Sequence, residues 1–190
     1  MTIKLKSILL TLFAFLAFMS ISYSQVSLEA GLSLPMGDYS DENGGDANLG
    51  YNIRGGWDNL FTDNLGLATG IVIGSNAISK EDGFDVGSWF YVAFEAGLLF
   101  KASENFNVKG MLVRAGASTP EISLGNQVLF TSASSGAFGF DIRVEYELDD
   151  FYISANFLSF KPEFEFDLNG FQTSEKQSMT TIGIGAGYKF

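Results

Sequence analysis

The chain has 190 residues, of which 46% are hydrophobic, with 22 acidic and 11 basic side chains and a formal net charge of −11. It contains no cysteine and no histidine, which excludes disulfide frameworks and thiol catalysis and removes the usual general base. The acidic balance argues against nucleic-acid binding, because contacts to phosphate need lysine and arginine.

The N-terminal segment has the pattern of an export signal. Two lysines precede an apolar stretch from Ile8 to Met19, and the small residues Ser22 and Ser24 end the segment. A basic start, a short apolar stretch and small residues at the cut are typical of a secretory signal peptide, whereas a membrane-spanning helix needs about 20 apolar residues. We predict a signal peptide at 1–24 and a single domain at 25–190, with a net charge of −13 once both lysines are removed.

The remainder of the chain alternates with period two, which is the spacing of β-strands. The clearest example is 138–148, where large apolar residues alternate with glycine and charged residues. The alternation predicts eight strands, at about 26–34, 49–57, 65–74, 89–101, 106–117, 136–147, 151–160 and 178–190. Long and short connections take turns between them. This pattern is typical of an all-β fold, the eight-stranded antiparallel up-and-down transmembrane β-barrel, with both termini on the periplasmic side.

The two faces of each predicted strand differ in chemistry. We predict that the apolar face points outward to lipid, and in the strand at 106–117 we place Met111, Val113, Ala115 and Ala117 on that face. The opposite face mixes small and charged residues, which suits the narrow lumen of an eight-stranded barrel. We expect a structural network of paired charges there, formed by Glu29, Arg54, Glu95, Arg114, Asp141, Arg143 and Glu145.

Aromatic residues flank the predicted short turns and the C-terminus. They predict a periplasmic girdle at one level of the cylinder, as at a membrane interface, formed by Trp57, Phe61, Phe100, Phe106, Tyr146, Phe151, Tyr188 and Phe190. The competing fold is a soluble, lipocalin-like barrel with its apolar face inward. It would need a solvent face made largely of glycine, which weakens strands.

The predicted domain resembles the small outer-membrane β-barrel proteins of Gram-negative envelopes, the OmpA/OmpX-type eight-stranded group. The resemblance covers essentially all of 25–190 and is carried by the strand rhythm, by the segment Gly31–Asp38 and by the ending Gly-Ala-Gly-Tyr188-Lys189-Phe190. A terminal aromatic after alternating apolar residues is similar to the signal that barrel-assembly machinery recognises, which implies this role for Tyr188 and Phe190. We expect no periplasmic domain like that of OmpA after the barrel.

The long loops form the expected functional surface. Asn169-Gly170 lies between alternating segments and predicts a hairpin above the barrel, and Gly125-Asn126 predicts a second one. Such hairpins could offer strand edges to a partner chain. Oxygen ligands for Ca²⁺ cluster in the first loop, but their spacing matches no Ca²⁺-binding loop, and we predict no metal site. The cluster consists of Asp38, Asp41, Glu42, Asn43 and Asp46.

These features predict a monomeric, non-enzymatic outer-membrane protein without a cofactor. It would have a structural role in the envelope, with lipid and the barrel-assembly machinery as partners and with acidic loops that could bind an extracellular partner. Two alternatives stay open at this point, a narrow pore for small solutes and a soluble periplasmic or secreted binder of hydrophobic ligands. Conductance would identify the first, and fractionation without detergent the second.

Overall fold

A computed structural model describes the chain as a β-barrel with additional strands above one end. No helix of the described residues is long and apolar enough to cross a membrane. The signal peptide prediction falls almost entirely outside the described residues. These residues are 24–42, 45–78, 85–119, 122–124, 127–130, 133–134, 136–168 and 171–190.

Eight long strands form the barrel wall, each pairing antiparallel with two neighbours. The prediction of an eight-stranded antiparallel barrel is therefore confirmed. The barrel strands are β1 Ser24–Met36, β2 Ala47–Leu60, β3 Leu65–Ile78, β5 Ser88–Lys101, β6 Phe106–Ser118, β9 Ala137–Leu148, β10 Phe151–Phe160 and β13 Met179–Lys189. Around the wall they follow the order β1-β13-β10-β9-β6-β5-β3-β2.

The barrel closes where the first strand meets the last. The β1–β13 ladder runs without a register shift from Ser27 opposite Lys189 to Met36 opposite Thr180. Both described ends of the chain lie beside the short turns 61–64, 102–105 and 149–150. We call this the short-turn end and the opposite one the long-loop end.

The long-loop end carries the remaining elements. A 3-10 turn, Gly37–Tyr39, follows β1. A small sheet combines β4 (Asp85–Val86), β7 (Ile122–Leu124) and β8 (Gln127–Phe130), and β11 (Glu163–Leu168) pairs with β12 (Phe171–Lys176) as a separate hairpin. The predicted turn residues Asn169-Gly170 and Gly125-Asn126 lie outside the described residues.

Seven barrel strands have the predicted faces, but the prediction for β6 is wrong. Met111, Val113, Ala115 and Ala117 point into the barrel and are buried, whereas Leu112 is 76% exposed on the outside. The inverted register follows from Lys109, which shares a face with Met111. Its ammonium group lies inside the barrel, where carboxylates compensate it, and a one-residue shift would move every side chain of the strand to the other face.

Glycines on the inner wall make room for large rings on neighbouring strands. A Cβ atom at Gly74 would overlap the Tyr91 ring, and one at Gly187 would overlap the Tyr152 ring. Both rings are 1% exposed. Small residues opposite large ones thus fill the narrow interior at close packing.

Candidate functional site in the barrel interior

The half of the interior nearer the short turns holds a connected set of buried charges. At its lower edge, the Lys109 Nζ atom lies 2.6 Å from Asp58 Oδ2 and 2.7 Å from Glu145 Oε1. Lys189 approaches the same Glu145 at 3.3 Å and pairs with Glu147. Lys189 also lies 3.8 Å from Asp58 Oδ2, so each lysine is shared between carboxylates of β2 and β9, which links opposite sides of the wall.

Two arginines lie beyond these lysines toward the long-loop end, and Arg143 shares Glu145 with them. Arg143 pairs with Glu29 and lies 3.0 Å from Glu145 Oε1. Higher up, the Nη1 atom of Arg54 lies 2.8 Å from Asp141 Oδ2 and 3.4 Å from Glu95 Oε2.

Polar side chains hold the carboxylates in place. Ser154 donates a hydrogen bond to Glu29 at 2.9 Å, and Asn156 donates one to Asp141 at 3.1 Å. Buried charges are tolerated when they are paired and hydrogen-bonded in this way.

The sequence prediction named only part of this network. The structure brings together six of the seven predicted residues, namely Glu29, Arg54, Glu95, Asp141, Arg143 and Glu145. Arg114 does not join them, since it follows the inverted register of β6 and is exposed on the outer surface. Sequence reasoning missed Asp58, Lys109, Glu147 and Lys189. A lysine on the face of β6 assigned to lipid was the signal that could have corrected the placement of Lys109 and Arg114.

The half of the interior nearer the long loops is formed mainly by apolar side chains, with Ser33 and Asn76 buried among them. Tyr91 and Phe160 pack with ring centroids 5.6 Å apart, above the level of the charges. We call the buried apolar residues of this half the apolar cover. It comprises Tyr39, Val72, Trp89, Tyr91, Ala93, Val113, Ala115, Leu158, Phe160, Phe164 and Met179.

Loop residues complete the apolar cover from above. Trp89 lies between Tyr39 and Phe164, with ring centroids 5.8 and 5.6 Å away. Its indole N–H donates to the Gly45 carbonyl at 2.6 Å. Burial raises the pKa of the Tyr39 hydroxyl, so this group stays protonated and can donate to the Asn76 amide oxygen at 3.4 Å.

The predicted girdle residues lie around the short-turn end. The Tyr188 ring contacts Phe151 and Phe190 edge to face, with centroid distances of 5.0 Å to Phe151 and 4.9 Å to Phe190. Phe106 pairs with Tyr146 across the β6–β9 ladder. The outer surface also carries rings near the long-loop end, including Tyr51, Phe90 and Phe138. The sequence prediction placed a girdle only at the short-turn end.

The long loops are acidic. The four long connections contain twelve acidic and three basic residues. On the β11–β12 hairpin, a hydrogen bond from Ser174 and the nearby Lys176 lower the pKa of the exposed Glu163 carboxyl. Within the part of the chain that the structure describes, no group of three or more acidic side chains could hold a metal ion. Asn43 of the first-loop cluster lies outside that part.

Comparisons with solved structures agree on the fold. No family model matches the sequence, and no curated protein matches it. The attachment invasion locus protein Ail of Yersinia pestis aligns over 88% of this chain and 99% of its own, with 16% identity and a TM-score of 0.58. Neisserial surface protein A aligns over 88% and 97%, with 14% identity and a TM-score of 0.53.

A third similar structure is the N-terminal β-barrel domain of Pseudomonas aeruginosa OprF. It aligns over 87% of this chain and 97% of its own, with 14% identity and a TM-score of 0.52. At these identities the comparison establishes the fold. The chain has the fold of the small eight-stranded outer-membrane β-barrels.

The charge network leads to a prediction about stability. Arg143→Met leaves Glu29 without its cation in a buried site, and we expect it to lower the free energy of unfolding by about 3–5 kcal/mol. The double variant Arg143→Met/Glu29→Gln should recover part of this loss, because no uncompensated charge then remains on Glu29. Denaturant unfolding of the refolded barrel in detergent micelles measures both.

Lys176→Met is the matched control, since its ion pair with Glu163 is exposed. We expect its unfolding curve to match that of the unchanged protein. Equal stability of Arg143→Met and the unchanged protein would contradict a stabilising role for the network.

Proposed function

We propose that the chain is a non-enzymatic, structural protein of the outer membrane, which it spans as a barrel with both ends in the periplasm. The observation that carries this proposal is the distribution of side chains on the closed wall. Large apolar residues such as Leu32, Ile53, Phe94 and Ile184 are 52–61% exposed on the outside, while the ion pairs lie inside. Hydrocarbon is the solvent that suits such a surface.

Export and assembly follow from the same proposal. A signal peptide at 1–24 would be removed at the position where β1 begins, since that strand starts at Ser24. The terminal residues Tyr188 and Phe190 would then serve the barrel-assembly machinery. Their rings lie on the outside of β13 at the short-turn end, which supports an interfacial position in the periplasmic leaflet.

The side-chain inventory favours a non-enzymatic role. The sequence has neither histidine nor cysteine, so a serine or water would lack the usual base for its activation. The interior carboxylates are engaged by lysine and arginine. Carboxylates held in ion pairs are poorly placed for general acid–base catalysis.

The apolar cover favours a closed barrel over the alternative of a narrow pore. An ion that passed the charges would still meet the packed rings of Tyr91, Phe160 and Trp89 before reaching the long loops. Crossing a dry apolar segment strips an ion of its water at high cost. The charges in the other half also disfavour the soluble lipocalin-like alternative, because a hydrophobic ligand would have to displace them.

Acidic loops favour a cationic extracellular partner as a second function. Ail has been crystallised with the heparin analogue sucrose octasulfate, a polyanion. The loops of the present chain, with their excess of acidic residues, would repel such a ligand. The β11–β12 hairpin forms a sheet separate from the barrel sheet. A basic polypeptide could form backbone hydrogen bonds with a strand edge of this hairpin and ion pairs with its acidic side chains.

The membrane assignment is tested by a charge on the outer wall. Ile53 lies at the middle of β2, between Ala30 and Ile73 in the neighbouring strands. We expect Ile53→Lys to lower the free energy of unfolding in lipid vesicles by about 2–4 kcal/mol, the cost of a lysine facing hydrocarbon at mid-depth. Thr173→Lys on the exposed hairpin is the control and should have no effect. A soluble, stable Ile53→Lys protein that needs no detergent would refute the proposal.

The closed interior is tested by electrical recording. We expect the purified barrel to give no current steps in planar lipid bilayers, because the apolar cover blocks the lumen. A large general porin in the same bilayers is the positive control, and heat-modifiable gel migration verifies that the barrel is folded. Reproducible current steps from the folded barrel would favour the pore instead.

The loop proposal is tested with probes of opposite charge. Barrels in nanodiscs should bind polylysine and not heparin, because the loops are acidic. Residues 165–174 can be replaced by a short turn, since Phe164 of the apolar cover and Glu175 lie opposite each other in the hairpin and stay in place. This variant should bind polylysine more weakly. Heparin binding, or polylysine binding equal to that of empty nanodiscs, would contradict a cationic partner.

A further inference from the structure

Arg114 is exceptional among the residues of the barrel wall. It is the only charged residue at an outward position of the eight described barrel strands. Its neighbours across the ladders are Phe94 and Phe138, which are 60% and 75% exposed. A cation among exposed rings on a surface proposed to face lipid requires a compensating group.

No acidic side chain of the described residues forms an ion pair with this cation. No ion pair and no donated hydrogen bond joins the Arg114 guanidinium to another described residue. Its contact is with the face of the Phe138 ring, where Cζ lies 4.7 Å from the centroid. A cation–π contact uses the flat face of the guanidinium and leaves its five N–H donors, which point outward in the guanidinium plane, free to bind an acceptor.

The position of Arg114 along β6 sets its depth in the membrane. The residue lies four positions before Ser118, the end of the strand, and therefore in the half of the wall nearer the long loops. The guanidinium lies beside Gly136, the residue that precedes β9. The side chain thus extends toward the headgroup level, as long basic side chains do at membrane interfaces. There an arginine costs about 0–1 kcal/mol, rather than the 2–4 kcal/mol of mid-depth.

The surroundings fit a headgroup with its acyl chains below. A Cβ atom at Gly116, next but one to Arg114, would meet nothing within 4 Å, so the wall is open beside the charge. Leu112 lies two residues before Arg114 on the same outer face, toward the short-turn end, and is 76% exposed. An acceptor with two adjacent anionic oxygens matches the guanidinium fork, and phosphate is the group of this kind that membrane lipids offer.

We infer that Arg114, with Phe138 and Leu112, forms a binding site for the phosphate headgroup of an outer-leaflet lipid. The inference rests on the proposed membrane function and orientation. Arg114 donates to the phosphate oxygens, Phe138 holds the guanidinium from the other side, and Leu112 contacts the acyl chains. In a chain with acidic loops and a predicted net charge of −13, this single cation attaches the wall to an anionic leaflet.

Native mass spectrometry of the folded barrel with bisphosphorylated lipid A tests the site. Arg114→Gln should bind lipid A about tenfold more weakly, the loss expected for one charge-assisted contact. Arg114→Lys should be intermediate, because it keeps the charge and loses the fork. Lys161→Gln is the control, since it removes the same charge from an exposed loop position, and its affinity should equal that of the unchanged protein.

The possible outcomes separate the sources of the effect. If Arg114→Gln and Lys161→Gln lose the same affinity for lipid A, the effect is one of overall charge and the inference is overturned. Unchanged affinity of Arg114→Gln for lipid A would overturn it too. Displacement of lipid A by millimolar inorganic phosphate would identify a site for free anions and overturn it as well. Heat-modifiable migration verifies that each variant is folded. Failure of the unchanged protein to insert into vesicles would refute the proposed function itself, whereas insertion with undiminished lipid binding by Arg114→Gln would refute only the lipid site.

Discussion

Closure of the sheet between β1 and β13 is the constraint on which the remaining structure depends. The continuous ladder from Ser27–Lys189 to Met36–Thr180 leaves the wall without a free edge, so its backbone N–H and C=O groups are satisfied without water. Closure also divides every strand into an inner and an outer row. Charges can then be confined to the inside, where carboxylates and cations from different strands meet.

The barrel interior has a charged half and a mainly apolar half, and the two stabilise the barrel in different ways. Ion pairs among Lys109, Arg143, Glu29 and Glu145 link strands that are distant in sequence, and breaking one of them leaves a buried charge uncompensated. The apolar cover closes the other half with packed rings that need no partner. A barrel built in this way is a rigid support for its loops, which is the role that we propose for it.

The strand rhythm was sufficient to predict the fold, because a sheet buried on one face imposes period two on its sequence. It was not sufficient for β6. There both rows contain apolar and small residues, and each row carries one cation, Lys109 or Arg114. Apolar content alone could not choose between the two registers. The choice depended on Asp58 and Glu145, which receive Lys109 and belong to β2 and β9.

By itself, the sequence determined the number of strands, the alternation of long and short connections and the apolar outer surface, since each of these is a local pattern along one strand or one turn. Only the tertiary structure decided which charges meet, how the rings of Tyr39, Trp89 and Phe164 cover the interior, and which of the two cation-bearing rows of β6 faces outward. These features depend on side chains from strands and loops that are far apart in sequence. Their relative heights are set by the stagger of the closed barrel, which no single strand encodes.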